Sequence, residues 1–124
     1  MKFNDLNIGK EALIKLNNVK FNDFKIAMKV FKLTKSVNEN IEFFTTEYNK
    51  LIDLYKPEKL QNGSMKFDSV ENRTKFESEL NTLLNTELET NIEKIEIPLA
   101  SVENAKDFSG NDIMALSPFV EWLE

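Results

Sequence analysis

Apolar residues recur along this chain with two different periods, and the change of period divides it. Over residues 22–55 no Gly or Pro interrupts, and Val30, Leu33, Val37, Ile41, Phe44, Tyr48, Leu51 and Tyr55 follow at steps of three or four. That spacing is the seam of an amphipathic helix, close to a coiled-coil register, and Pro57 stops it. At ~1.5 Å per residue such a helix is on the order of 50 Å long. A rod of that length needs partner helices along its seam, from the same chain or from a second chain. Asn22 is placed to cap its start, and Asp23 suits the positive end of the helix dipole. Phe21 and Ile26 have the spacing of a hydrophobic staple.

Upstream, Phe3, Leu6 and Ile8 alternate weakly, so residues 1–8 read as a short strand or an extended lead-in. Ala12, Leu13 and Leu16 predict a short helix over residues 10–18. Downstream of Pro57, Asn62-Gly63 lies between Glu58-Lys59-Leu60-Gln61 and Ser64-Met65-Lys66-Phe67, which predicts a β-hairpin with a type I′ turn. Asp68 and Ser69 both suit a helix N-cap, and Glu71 follows Asp68 as in a capping box. Val70, Arg73, Phe76, Leu80, Leu83 and Leu84 then mark a second amphipathic helix. Reached through a tight hairpin, it should return antiparallel along the first, with Phe76, Leu80 and Leu83 meeting Tyr48, Phe44 and Ile41.

From Thr86 the period shortens to two. Thr90-Asn91-Ile92 and Ile95-Glu96-Ile97-Pro98-Leu99 predict a strand with Pro98 at its end, for which residues 1–8 are a candidate partner. Residues 100–108 read as loop, and Ser109 and Asp112 as caps for a short turn over residues 111–116. Ser117-Pro118 has N-cap and first-turn chemistry for a terminal helix carrying Phe119, Val120, Trp122 and Leu123. Those four side chains need cover, by docking on the domain or by serving as a partner-binding tail. The expected fold is one α+β domain over residues 1–124, mostly helical. It consists of a long helix with an antiparallel helix (a helical hairpin tipped by a β-hairpin), short terminal strands and a small C-terminal helix.

Composition narrows function chiefly by exclusion. With 124 residues, 41% hydrophobic and 30% charged, the chain has the make-up of an ordinary globular domain able to bury a core. No apolar run approaches bilayer length and residues 1–5 lack a secretory pattern, so no membrane role is expected. The absence of Cys removes disulfides, thiol nucleophiles and thiolate metal sites. The absence of His removes imidazole bases, the Ser-His-Asp triad and the usual zinc sites. Three glycines, none clustered, exclude phosphate-cradling loops. The expectation is a non-enzymatic protein without cofactor or metal.

Charge adds a second asymmetry within a net −5: residues 1–36 carry eight Lys against Asp5, Glu11 and Asp23. In the long helix Lys25, Lys29, Lys32 and Lys35 form a ridge on neighbouring turns. A ridge of this kind could contact phosphates, but it contains no Arg and no interleaved aromatic, and the net charge argues against nucleic acid. Glu87, Glu89, Glu93 and Glu96, with Glu71, Glu77 and Glu79 upstream, make an acidic belt. They show no convergence into a cleft of the sort carboxylate catalysis requires, and residues 108–112 only approximate a calcium loop. An acidic face can instead imitate a phosphate array and occupy a basic channel. Candidate partner-binding residues are therefore Lys25, Lys29, Lys32, Lys35, Glu87, Glu89, Glu93 and Trp122.

The order of segments carries one resemblance. It runs through Phe24-Lys25-Ile26-Ala27-Met28-Lys29, Lys50-Leu51-Ile52-Asp53-Leu54-Tyr55, the Asn62-Gly63 hairpin and the helix over residues 76–84. It closes on Ile92-Glu93-Lys94-Ile95 and Leu116-Ser117-Pro118-Phe119-Val120-Glu121-Trp122-Leu123. This arrangement resembles an uncharacterised family of small proteins from tailed phages and prophages of low-GC Gram-positive bacteria. Lys at fifteen of sixteen basic positions suits an AT-rich source genome. The resemblance implies a phage protein that works in the host cytoplasm or in the virion, with no catalytic residues to carry over. Its partner would be a phage structural protein, a host effector or a second copy of itself. The resemblance implies an origin and not a mechanism. Taken with the missing catalytic residue types, the long helix seam and the acidic face, it leads to two expected roles: a minor structural or assembly factor in particle morphogenesis, or an inhibitor of a bacterial defence system acting through the acidic surface.

Overall fold

The computed structural model describes residues 1–88 and 92–124. Its elements in chain order are α1 (Phe3–Asn17), α2 (Phe24–Tyr55), β1 (Glu58–Lys59), β2 (Met65–Lys66), α3 (Val70–Leu84), β3 (Ile95–Pro98), α4 (Gly110–Ala115) and β4 (Val120–Leu123). The mostly helical α+β class expected from the sequence is the class observed.

The long helix dominates. α2 runs for 32 residues, roughly 48 Å. Its cap is Asp23 rather than Asn22: the Asp23 carboxylate accepts from the Lys25 N–H at 2.8 Å. Phe21 and Ile26 are each partly buried against the core beside that start. At the far end Lys56 adopts the left-handed conformation (φ 43°, ψ 54°), its N–H reaches the Ile52 carbonyl at 2.7 Å, and Pro57 prevents continuation.

Residues 1–8 are not a strand. α1 begins at Phe3, and the Asp5 carboxylate accepts from the Lys2 N–H at 2.9 Å, securing the first turn. The periodicity explains the difference. Phe3 and Leu6 would point to opposite faces of a strand, whereas spacing of three puts both on one helix face with Gly9, Leu13 and Leu16. All five are buried. Among the described residues, the only extended pairing left to this end is an isolated bridge between Lys2 and Glu87.

The Asn62-Gly63 hairpin forms, with β1 antiparallel to β2, but its turn is not type I′. Gly63 has φ 85° while Asn62 does not share a positive φ. Gly63 N–H bonds the Leu60 carbonyl (3.0 Å) and Leu60 N–H bonds that of Ser64 (2.8 Å), the pattern of a turn followed by a bulge glycine. Asn62 instead accepts from the Ser64 N–H at 3.1 Å through its side chain. Beyond the tip, the Ser69 hydroxyl caps α3 by accepting from Asn72 N–H. α3 returns antiparallel as expected. Phe76 meets Tyr55 and Tyr48 edge-on at centroid distances of 6.2 Å, and Leu80 and Leu84 lie beside Ile41, Phe44 and Tyr48.

The last third departs further from expectation. β3 pairs with β4, in parallel and in the register Ile95↔Val120 to Pro98↔Leu123, not with the N-terminal residues. Residues 99–119 supply the crossover that parallel strands need, with α4 as its helix. The small C-terminal helix is thus α4, capped by Ser109 and Asp112, and the segment after Ser117-Pro118 is a strand. The Leu116 carbonyl accepts from Phe119 and Val120 N–H at 2.8 and 2.9 Å, closing a turn that launches β4. Docking is what covers this segment: Phe119 and Val120 are buried against Leu6, Leu16, Val30, Leu33, Val37, Ile97 and Leu116 in one core. Of the strand expected over residues 90–99, Thr90 and Asn91 lie outside the described residues.

Candidate functional site

The two halves of α2 are held differently. Val30, Leu33 and Val37 are buried in the core where α2 packs on α1 and β3, whereas Ile41, Phe44, Tyr48, Leu51 and Tyr55 are only partly covered. The seam predicted from the sequence is therefore the core-facing side. On the opposite side stand Phe24, Met28 and Phe31, exposed to 86%, 54% and 61%. At 100° per residue the three lie within an arc of about 60°. They make a second apolar stripe, directed into solvent.

Sequence reading passed over this stripe. Its steps of four and three are as regular as those of Val30, Leu33 and Val37, and a helix with apolar residues on two sides does not announce which one the core takes. The stripe adjoins the Lys ridge. By helical position Lys25, Lys29 and Lys32 run along one flank of it, and Lys35 continues its line. All four lysines are exposed, and none has an ion-pair partner within 4.0 Å among the described residues. Further along the same face the side chains are Asn38, Glu42, Thr46, Asn49 and Asp53, all exposed. The face changes from apolar and cationic to polar and acidic.

The other candidates are dispersed. Glu87 accepts from the Met1 amino group at 2.8 Å. Glu93 and Glu96 share a cleft of about 570 Å³ with Lys29 and Lys32, so part of the acidic belt faces the basic ridge within the molecule. Glu89 lies outside the described residues. Trp122 is half-buried: its ring packs on Phe108 with centroids 5.9 Å apart, and its indole N–H donates to the Ile113 carbonyl at 3.2 Å. These contacts make it part of the fold's own packing.

Two further concavities flank the helices. A polar cleft of about 600 Å³ lies between the α1–α2 junction and residues 100–108, lined among others by Lys20, Asp23, Asn104 and Lys106. An apolar groove of about 340 Å³ opens between α1, α2 and α3 over Phe3, Ile41, Phe44, Tyr48, Leu80 and Leu84. Residues 108–112, weighed above as a calcium loop, form the start of α4. There the Asp112 carboxylate accepts from Ser109 N–H (2.8 Å) and from its hydroxyl (3.1 Å), with the Lys15 ammonium at 3.3 Å. The Ser109 backbone bond is the chief cause holding the Asp112 carboxyl below its ordinary pKa; the Ser109 hydroxyl and Lys15 add to it against the opposing effect of burial. Hydrogen bonding and charge from Glu79 push the Tyr55 hydroxyl up.

Among the described residues, no group of three or more Asp and Glu side chains converges as a metal site, and no helix is long and apolar enough to cross a membrane. Compared with family models, curated proteins and solved structures, the chain finds no significant match.

Proposed function

We propose that this chain is a non-enzymatic protein that acts by docking a protein partner on the exposed face of the first half of α2. One observation carries the reading: Phe24, Met28 and Phe31 stand in line in solvent, opposite the core. Full burial of a Phe or Met side chain is worth about 1.5–3 kcal/mol, so a contiguous row left uncovered is a surface suited to association. Scattered exposed apolar residues need no explanation; a stripe at helical spacing on a rigid element does. The lack of His and Cys in the sequence supports the non-enzymatic half of the reading.

The resemblance to small tailed-phage proteins supplies the setting, a minor structural or assembly factor in particle morphogenesis. Mass spectrometry of purified particles, combined with a deletion phage, tests that setting. Presence in the particle or a defect in assembly is expected; absence from particles together with normal assembly sinks it. The alternative, an inhibitor of a bacterial defence system working through an acidic surface, draws less support. Glu87 is engaged with the Met1 amino group, and Glu93 faces Lys29 and Lys32 across a cleft.

A further inference from the structure

Resting on that docking reading, we infer that the segment received by α2 is an amphipathic helix whose apolar stripe is bordered by Asp and Glu. The surface defines its complement. Three apolar side chains over two turns accept the anchor positions of a crossing helix, spaced i, i+3, i+4 and i+7. Lys25, Lys29 and Lys32 along one flank, with Lys35 at the end, supply cations that lack ion-pair partners among the described residues. The neighbouring cleft does not cancel them, since Lys29, Lys32 and Lys94 outnumber Glu93 and Glu96 there. An acid-bordered helix therefore matches the face in shape and in sign, and a base-bordered one is repelled.

The same features would also suit an anionic bilayer, but the rest of the face opposes it. A membrane lying along α2 would meet Glu42 and Asp53 as well as the stripe, placing like charges together, whereas a helix crossing at an angle covers only the first half. A second copy fits poorly too. Packing stripe on stripe about a two-fold axis brings the lysines of both chains into one interface.

Two synthetic helical peptides test the inference. Both carry leucines at i, i+3, i+4 and i+7; their borders are Glu in one and Lys in the other. In fluorescence anisotropy with the whole protein, the Glu-bordered peptide should bind about tenfold more tightly at low salt, the gap narrowing as salt is added. Combining Lys25→Glu, Lys32→Glu and Lys35→Glu should reverse the preference. Phe24→Ser with Phe31→Ser should abolish binding of either peptide while circular dichroism stays unchanged. Equal binding of the two peptides, with loss in the Phe variants, overturns the acidic partner and leaves the docking face standing. Binding of neither peptide overturns the docking face itself. Preferential binding to phosphatidylglycerol vesicles, or dimerisation lost on Phe24→Ser, replaces the helix by a bilayer or a second copy.

Discussion

Gly9 decides how closely α1 sits on the C-terminal segment. A Cβ at this position would lie 2.6 Å from Cε2 of Phe119 and 3.1 Å from the Ala115 carbonyl oxygen. Phe119 is 1% exposed and has little room to withdraw. Gly9→Ala gains up to about 1 kcal/mol in helix propensity but overpacks at a cost of about 1–3 kcal/mol. The expected outcome is a net loss on the order of 1 kcal/mol, read as a lower urea midpoint with an unchanged slope. A raised midpoint would show that the Phe119 ring yields. Asp112 offers a prediction with a pH signature. Its folded-state pKa is depressed below the ordinary 3.8, so its contribution is complete above that value and is lost as pH falls through the folded pKa. Asp112→Asn should cost about 1 kcal/mol near neutral pH, as loss of a charged capping interaction does. The gap to the parent should narrow as pH falls through the depressed folded-state pKa and the carboxylate is protonated. A gap independent of pH would contradict the assignment. Of these two residues, Asp112 was legible in the sequence because its partner Ser109 is three positions away. Gly9 was not, because its neighbours are more than a hundred positions distant.

At the scale of elements, local pattern told most where the period was long and unbroken. α2, α3 and the hairpin between them stand within a residue or two of their expected places, and caps differed only by neighbouring choices such as Asp23 for Asn22. Two segments went the other way, residues 1–8 and 117–123. Each is short enough that strand and helix patterns both fit, and each is settled by a distant contact: Phe3 and Leu6 by the core beneath α1, and Val120–Leu123 by parallel pairing with β3. A parallel pair leaves no local signature, since its partners are joined through a crossover rather than a turn. The end of α2 provides the test at this scale. Lys56 holds a left-handed conformation that costs an L-residue and suits glycine. Lys56→Gly should raise stability by about 0.5–1 kcal/mol, seen as a higher thermal midpoint; a lower one would mean that the Lys side chain contributes more than the backbone strain removes.

For the molecule as a whole, the uneven charge noted in the sequence takes two forms in the fold. Part is internal, with Glu93 and Glu96 facing Lys29 and Lys32 across a cleft. Part stays outward, where Lys25 and Lys35 adjoin Phe24, Met28 and Phe31. The candidate site was half legible. The lysines stood out as a ridge, but their meaning depended on which of two apolar stripes faced the core, and only the packing of α1 and β3 on α2 decides that. Core residues and the residues proposed for docking thus share one helix, on opposite sides. It follows that Phe24→Ser and Phe31→Ser should change unfolding free energy by no more than about 0.5 kcal/mol, as exposed positions do, while Leu33→Ala should cost about 2–5 kcal/mol. Chemical denaturation of the three variants checks this separation. The most direct test of the docking face is site-specific photo-crosslinking in the cells that make the protein, with benzoylphenylalanine in place of Met28 and, separately, of Thr46 on the same side of α2. A discrete protein adduct from position 28, absent from position 46 and lost when Phe24→Ser and Phe31→Ser are combined with it, is the predicted result; no adduct from position 28, or the same adduct from both positions, would contradict it.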